Sequence, residues 1–447
     1  MPYMNNNKNS AMKMLAYGGV QFATSIFYAF SSYYLLAFLT DVAMIPTAIA
    51  GALLFALRLF SAAGDQAIGI YMNRSNEAKG GKYRPWFFRC ALPYAICLAA
   101  VGFAPGFGLA GKVAYAAATL LLCELFRSAL SMAAMSMLPY MAETDEERAK
   151  YISFSTAAGI FSYLVIGTFM IPLVGILGGS GGPRTGYAVI FVLFAVVAAP
   201  LGFNAYFRLS EGRYDAALTR QPLVKLYAAI FRNSRIILFY IGYCLFAIAD
   251  AFRNLTAYYY VIYNLERPEI LPIVIMAGVL TPLAMQPIIP KLLAFADKET
   301  FIVAGIFAAS ALNFILPAIS AGEYAVIVCA VIYGAVTAVA VNLVYAMLAS
   351  FADEMRERHK LQMSDVLSAT LSLSNKIGIA IAGGAVPLVM AAYGYSAQNA
   401  AQPATALASV KSLYFTFTAA GMALSGIVML MVMRLGRRAA YYKDSGK

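Results

Sequence analysis

Apolar runs of roughly 20 residues or more recur from one end of the chain to the other, separated by short polar stretches. They predict twelve membrane-spanning helices at about 14–40, 44–72, 86–107, 113–141, 149–177, 186–208, 235–263, 270–294, 300–320, 324–351, 364–393 and 410–434. Several of these runs exceed what a straight crossing needs, which predicts tilt or extension into the cytoplasm. The polar start MPYMNNNKNS reads as a cytoplasmic tail, and the apolar run behind it is too long for a signal-peptide core.

Composition agrees. The 447 residues are 62% hydrophobic and 12% charged, against roughly half apolar and a quarter charged in soluble domains. The fold class is therefore all-α and polytopic. A net charge of +12 raises the question of nucleic acid, but the bases lie in short loops between spans, as positive-inside topology requires, so no nucleic-acid partner is expected. Of the 33 Lys and Arg, only Lys112, Arg184, Arg267 and Lys411 fall in the loops of the opposite side. This places both termini in the cytoplasm and the protein in the plasma (inner) membrane. The cysteines carry no metal spacing, and no nucleophile–base set, zinc cluster or phosphate loop is present, so neither an enzyme nor a cofactor is expected.

The longest cytoplasmic connection, 209–234, divides the chain into a six-helix unit at 1–208 and another at 235–435, with a cytoplasmic tail at 436–447. The halves echo each other. AETDEERAKYISFSTAAG follows the fourth span and FADEMRERHKLQMSDVLSATLS the tenth, each an acidic cluster, then bases, then a small-residue helix start. Parallel six-span repeats are the plan of the major facilitator transporters.

Charge inside the spans is confined to Arg58 and Asp65 in the second, Glu124 and Arg127 in the fourth, Asp250 and Arg253 in the seventh, and Lys376 in the eleventh. Such groups are costly in a bilayer and mark functional sites by default. Arg58, Ser61 and Asp65 share one helical face, and Glu124/Arg127 and Asp250/Arg253 are spaced i, i+3, so that each pair can neutralise itself on its own helix. Polar stripes run along the first span (Gln21, Ser25, Tyr28, Ser32) and the eleventh (Asp365, Ser368, Ser372, Asn375, Lys376).

One stretch resembles a known family. Asp65 and Gly69, then Gly81-Lys82-Tyr83-Arg84-Pro85-Trp86, are similar to the helix II to III signature of the glycoside–pentoside–hexuronide:cation symporters, the melibiose-permease branch of the major facilitator superfamily. Ala352-Asp353 followed by Ser372-Leu373-Ser374-Asn375-Lys376-Ile377-Gly378 resembles their helix X to XI region, and Leu138-Pro139-Tyr140 with Glu147-Arg148 their helix IV to V turn.

The resemblance implies a symporter that moves a sugar or glycoside by alternating access, coupled to H+ or Na+, with a small-molecule substrate, no bound cofactor and a monomeric state. It implies cation binding around Asp65 with Ser61 and Arg58, no metal site being certain. Substrate contacts are expected from Ser25, Tyr28, Glu124, Arg127, Asp250, Arg253, Asn375 and Lys376 near the bilayer midplane, and an inner gate at Arg84 and Asp353. The chain departs from the family where Ser61 replaces the first helix II aspartate, Gly64 an asparagine, Ser25 and Thr24 a helix I aspartate and lysine, Ser131 or its neighbourhood a helix IV aspartate, and Ser155 or Thr156 a helix V arginine. A lone carboxylate suits a proton better than a metal ion. The alternative is a transporter of the same fold for a lipid, amphiphile or other non-sugar solute, since Arg127 and Lys376 suit an anionic group.

Overall fold

The computed structural model describes residues 2–74, 81, 83–141, 145–211, 223–285, 288–289, 295, 297–319, 322–359, 364–396 and 401–444. Among these every regular element is a helix. The long helices are α1 (Pro2–Tyr33), α2 (Thr47–Arg74), α3 (Arg84–Val101), α4 (Leu109–Met141), α5 (Asp145–Gly178), α6 (Gly182–Arg208), α7 (Ser234–Tyr259), α8 (Leu271–Met285), α9 (Lys298–Ile319), α10 (Glu323–His359), α11 (Ser364–Ala392) and α12 (Thr418–Asp444). α12 is preceded by Ala404–Ser412 and a π turn, and a short amphipathic helix, Leu223–Arg232, leads into α7.

A helix stands at each place where the hydropathy pattern predicts one. By length and composition alone, nine described segments suffice to cross a membrane, or ten if the bent pair Ala11–Tyr33 and Leu35–Val42 counts as one span. The difference has physical causes. The segment Lys150–Arg208 counts once but contains two helices, and α3 carries Arg84 and Arg89 in its first two turns. At the N-terminus α1 already begins at Pro2, so the polar stretch ahead of the first span is itself helical. Proline is well placed at a helix start, and the next glycine is Gly18.

The chain divides into two compact units, Met1–Ala216 with Ser396–Gln398, and Ala217–Tyr395 with Asn399–Lys447. Within the first, α1 packs on α5, α6 and α4, α3 on α4 and α6, and α2 on α4. Within the second, α7 packs on α11 and α12, α9 on α10 and α12, and α8 on α10. Shifted by six helices, the second pattern is contained in the first.

The repeat extends to backbone detail. α1 and α7 both pass into π turns, Phe38–Val42 and Tyr260–Asn264. Ala43 N–H then donates to the Phe38 carbonyl at 2.9 Å and Leu265 N–H to that of Tyr260 at 3.1 Å. One step further, Ile45 N–H donates to Leu39 and Arg267 N–H to Val261. Between these bonds the chain reverses through Met44 (φ 57°) and Glu266 (φ 55°), the only positive-φ residues other than glycine among those described.

Gly378 sets how closely α11 approaches α7. A Cβ there would lie 2.7 Å from the Cβ of Ala247 and 2.8 Å from the Cys244 carbonyl, so the glycine of the Ser372–Gly378 motif is a packing requirement. Gly378→Val is expected to lower stability in detergent by about 1–3 kcal/mol through forced separation of the helices; an unchanged unfolding midpoint would contradict the contact. At the reversals, L-residues pay about 1–2 kcal/mol for left-handed backbone, β-branched ones most. Met44→Val is expected to destabilise, whereas Met44→Gly holds or raises the melting temperature.

Candidate functional site

The first unit brings three of its membrane-embedded charges, Arg58, Glu124 and Arg127, together where α2 and α4 meet α1. Glu124 and Arg127, one turn apart on α4, form a two-pronged ion pair: Arg127 Nε donates to Glu124 Oε2 at 2.7 Å and Nη2 to Oε1 at 2.6 Å. Glu124 is 3% exposed and Arg127 9%. Ser61 on α2, also buried, donates its hydroxyl to Glu124 Oε1 at 2.7 Å. The carboxylate thus accepts three hydrogen bonds, which is what a charge in hydrocarbon requires.

Arg58, one turn before Ser61, turns to α1. Its Nη2 donates to the Ser31 hydroxyl at 2.6 Å and, at 3.4 Å, to the Ser31 carbonyl. The Tyr28 ring has two guanidinium groups beside it, Arg58 at 5.8 Å and Arg127 at 5.5 Å from its centroid, with Tyr163 of α5 at 6.1 Å. Behind the pair, buried Tyr94 of α3 donates to the Ala23 carbonyl of α1 at 2.8 Å. Asp65 is half-buried two turns along α2 from Arg58. Ser25 is buried on α1 and accepts from Gln21 at 3.2 Å.

The structure therefore divides the expected cation set. Ser61 is bonded to Glu124, and Arg58 to Ser31, while Asp65 occupies the next turns of the same helix. Gly64, where the resembled family has asparagine, lies against α4: a Cβ there would sit 2.7 Å from a methyl of Leu125.

In the second unit the i, i+3 pair of α7 does not neutralise itself directly. Arg253, 4% exposed, donates from Nη1 to Asn313 Oδ1 of α9 at 2.7 Å and from Nη2 to Cys329 Sγ of α10 at 3.5 Å. Its guanidinium lies over two rings, Tyr333 at 4.4 Å and Tyr414 at 4.5 Å. Asp250 accepts from Tyr333 Oη at 3.0 Å and from Asn254 Nδ2 at 2.9 Å. Among the described residues, the aspartate and the arginine are joined only through the tyrosine, whose hydroxyl serves one and whose ring serves the other. Asp250 and Arg253 precede the π turn of α7 by the same distances, ten and seven residues, as Tyr28 and Ser31 precede that of α1. Matching positions of the repeat thus carry both clusters.

On α11, Asn375 donates to the Tyr243 hydroxyl of α7 at 3.1 Å, and Lys376 is half-buried beside it. Of the expected gate residues, Arg84 is held within its own unit: its Nε donates to the Tyr206 carbonyl at 2.7 Å and its guanidinium lies 4.9 Å from the Tyr206 ring. Glu211 accepts from the backbone N–H groups of Tyr83 and Arg84, both at 2.6 Å. Asp353 is exposed on α10. Lys79, Lys82, Glu143 and Lys360 lie outside the described residues.

Several participants had no signal in the sequence. Asn313 sits in a span with no charge, Ser31 falls off the polar stripe, and Tyr333 and Tyr414 are two among 30 tyrosines. Arg235, paired with Glu299 at 2.5 Å and Glu354 at 3.4 Å, ties α7 to α9 and α10. Other tyrosines are buried in the packing, Tyr34 donating to the Gly167 carbonyl at 2.7 Å and Tyr260 stacking on Tyr414 at 4.8 Å.

Comparison with known proteins bears on what these clusters serve. The chain is 26% identical over 413 residues to an uncharacterised symporter, YnaJ, of Bacillus subtilis (strain 168), covering 90% of this chain and 87% of that one. It is 25% identical over 424 residues to the isoprimeverose transporter of Lactiplantibacillus pentosus, covering 93% and 87%. A crystal structure of a D-xylose–proton symporter superposes with a TM-score of 0.69 at 13% identity, over 94% of this chain and 96% of that one, and shares the fold. The family model described as MFS/sugar transport protein matches residues 16–437. With that match spanning the helices of both units, the chain belongs to the MFS/sugar transport protein family.

Proposed function

We propose that the protein is a symporter that carries a sugar or glycoside across the membrane together with H+ or Na+, by alternating access between its two six-helix units. The observation that carries this reading is the family match over 16–437, joined to polar clusters inside otherwise apolar helices. Relatives named as a symporter and as an isoprimeverose transporter support it. The twelve-span count, the domain bounds at 1–208 and 235–435, the cytoplasmic placement of both termini and the monomeric state belong to the same proposal, resting on the Lys/Arg distribution and the six-helix recurrence of packing.

In this reading Asp65 carries the coupling charge, because Glu124 is already committed to Arg127 and Ser61. Ser25, Tyr28, Arg127, Asp250, Asn375 and Lys376 are the substrate-side candidates. Arg253 is 4% exposed and enclosed by Asn313, Cys329 and two rings. Uptake of labelled sugars into proteoliposomes, with H+ or Na+ gradients imposed in turn, tests the function directly; accumulation that ignores both gradients contradicts symport.

Asp65→Asn is expected to abolish gradient-driven accumulation while counterflow exchange persists; full concentrative uptake by this variant would remove Asp65 from the coupling role. Glu124→Gln strands the Arg127 guanidinium in a low-dielectric site. The expected cost is about 3–5 kcal/mol of stability, as for other buried pairs broken on one side. The double variant Glu124→Gln/Arg127→Gln is expected to recover part of that loss, read from unfolding in detergent as a double-mutant cycle.

A further inference from the structure

We propose that Arg58, set between Ser31 and Tyr28, is a subsite for an anionic group, a carboxylate or sulfonate carried by the substrate. The inference rests on the sugar-transport reading and narrows it to acidic sugars.

The argument begins with where the positive charge is left over. Both carboxylate oxygens of Glu124 are taken, Oε1 by Ser61 and Arg127 and Oε2 by Arg127. The Glu124–Arg127 pair is therefore neutral as a unit. Arg58 belongs to the same cluster, yet among the described residues its hydrogen bonds go only to the hydroxyl and carbonyl of Ser31. Both partners are neutral. Asp65 is seven residues further along the helix, about 10 Å at 1.5 Å per residue. An arginine in a membrane-spanning helix without a carboxylate in direct contact is costly, and an arriving anion relieves that cost.

Geometry favours the same ligand. Arg58 uses one terminal nitrogen on Ser31, and a guanidinium presents parallel N–H donors suited to two oxygens of one carboxylate or sulfonate. Arg58 and Tyr28 are only partly buried, unlike Glu124, Arg127 and Ser61, so the subsite is the accessible end of the cluster. A guanidinium repels a metal cation, which separates Arg58 from the cation role expected for it beside Asp65 and Ser61.

Binding of matched probes to the purified full-length protein tests this. Methyl glucopyranoside, its 6-carboxylate and its 6-sulfonate, with the corresponding galactopyranoside series and a set of small non-sugar carboxylates and sulfonates, are titrated while ligand-induced thermal shift is read. The acidic member of at least one sugar series is expected to bind about tenfold tighter than its neutral parent, the scale of a charge-assisted hydrogen bond. Arg58→Gln is expected to erase that preference, read as the ratio of acidic-member to neutral-parent affinity measured within the variant itself. Arg58→Lys, which keeps the charge and loses the fork, retains part of it and serves if the glutamine variant does not fold. Equal binding of neutral and acidic members in the wild type, or a preference that survives Arg58→Gln, overturns the subsite while sugar transport stands. Arg58-dependent binding of non-sugar anions with no sugar bound upholds the subsite and overturns the sugar reading. If no probe binds, both fall.

Discussion

A charge surrounded by hydrocarbon has to be answered by another group of the protein, since no water is there to do so. This constraint organises both units. In the first, Glu124 is answered threefold, by Arg127 twice and by Ser61 once. In the second, Arg253 is answered by an amide, a thiol and two aromatic faces, and Asp250 by a phenol and an amide. Helices that contribute to these sets are thereby fixed in rotation about their axes, because turning α2 or α9 by one residue would carry Ser61 or Asn313 away from its partner.

The two solutions differ in consequence. A tight carboxylate–guanidinium pair is electrically closed, and its removal on one side exposes an uncompensated charge. A cation over two rings and a neutral amide keeps its charge, while the carboxylate one turn away is linked to it only through Tyr333. Alternating access requires elements whose interactions change with loading. Groups held by neutral partners, such as Arg58 by the acceptors of Ser31 and Asp250 by Tyr333 and Asn254, can exchange those partners for a ligand at lower cost than Glu124 can leave Arg127.

Duplication is visible at the same level of detail. The left-handed residues Met44 and Glu266 are unrelated in chemistry, yet each closes a π turn with the same two backbone bonds. The backbone reversal is the same in both units while the side chains differ. Positions ten and seven residues before the turn became Tyr28 and Ser31 in one copy and Asp250 and Arg253 in the other, and each copy found its own neighbours to satisfy them.

The helices and the six-helix recurrence were legible in the sequence because hydrocarbon selects long apolar runs and loop bases record sidedness, both of which are local properties of the chain. The confinement of charge to the second, fourth, seventh and eleventh spans was legible for the same reason. Partners were not. Spacing of i, i+3 paired Glu124 with Arg127 correctly, and by the same rule paired Asp250 with Arg253, where the structure instead inserts Tyr333. Spacing reports that two side chains share a helix face; it does not report which neighbour competes for them. Ser61 reaching Glu124, Arg58 reaching Ser31, and Asn313 reaching Arg253 across 60 residues depend on which helices pack together and at what rotation. That was decided by close contacts such as Gly378 on Ala247 and Gly64 on Leu125, which only the tertiary structure contains.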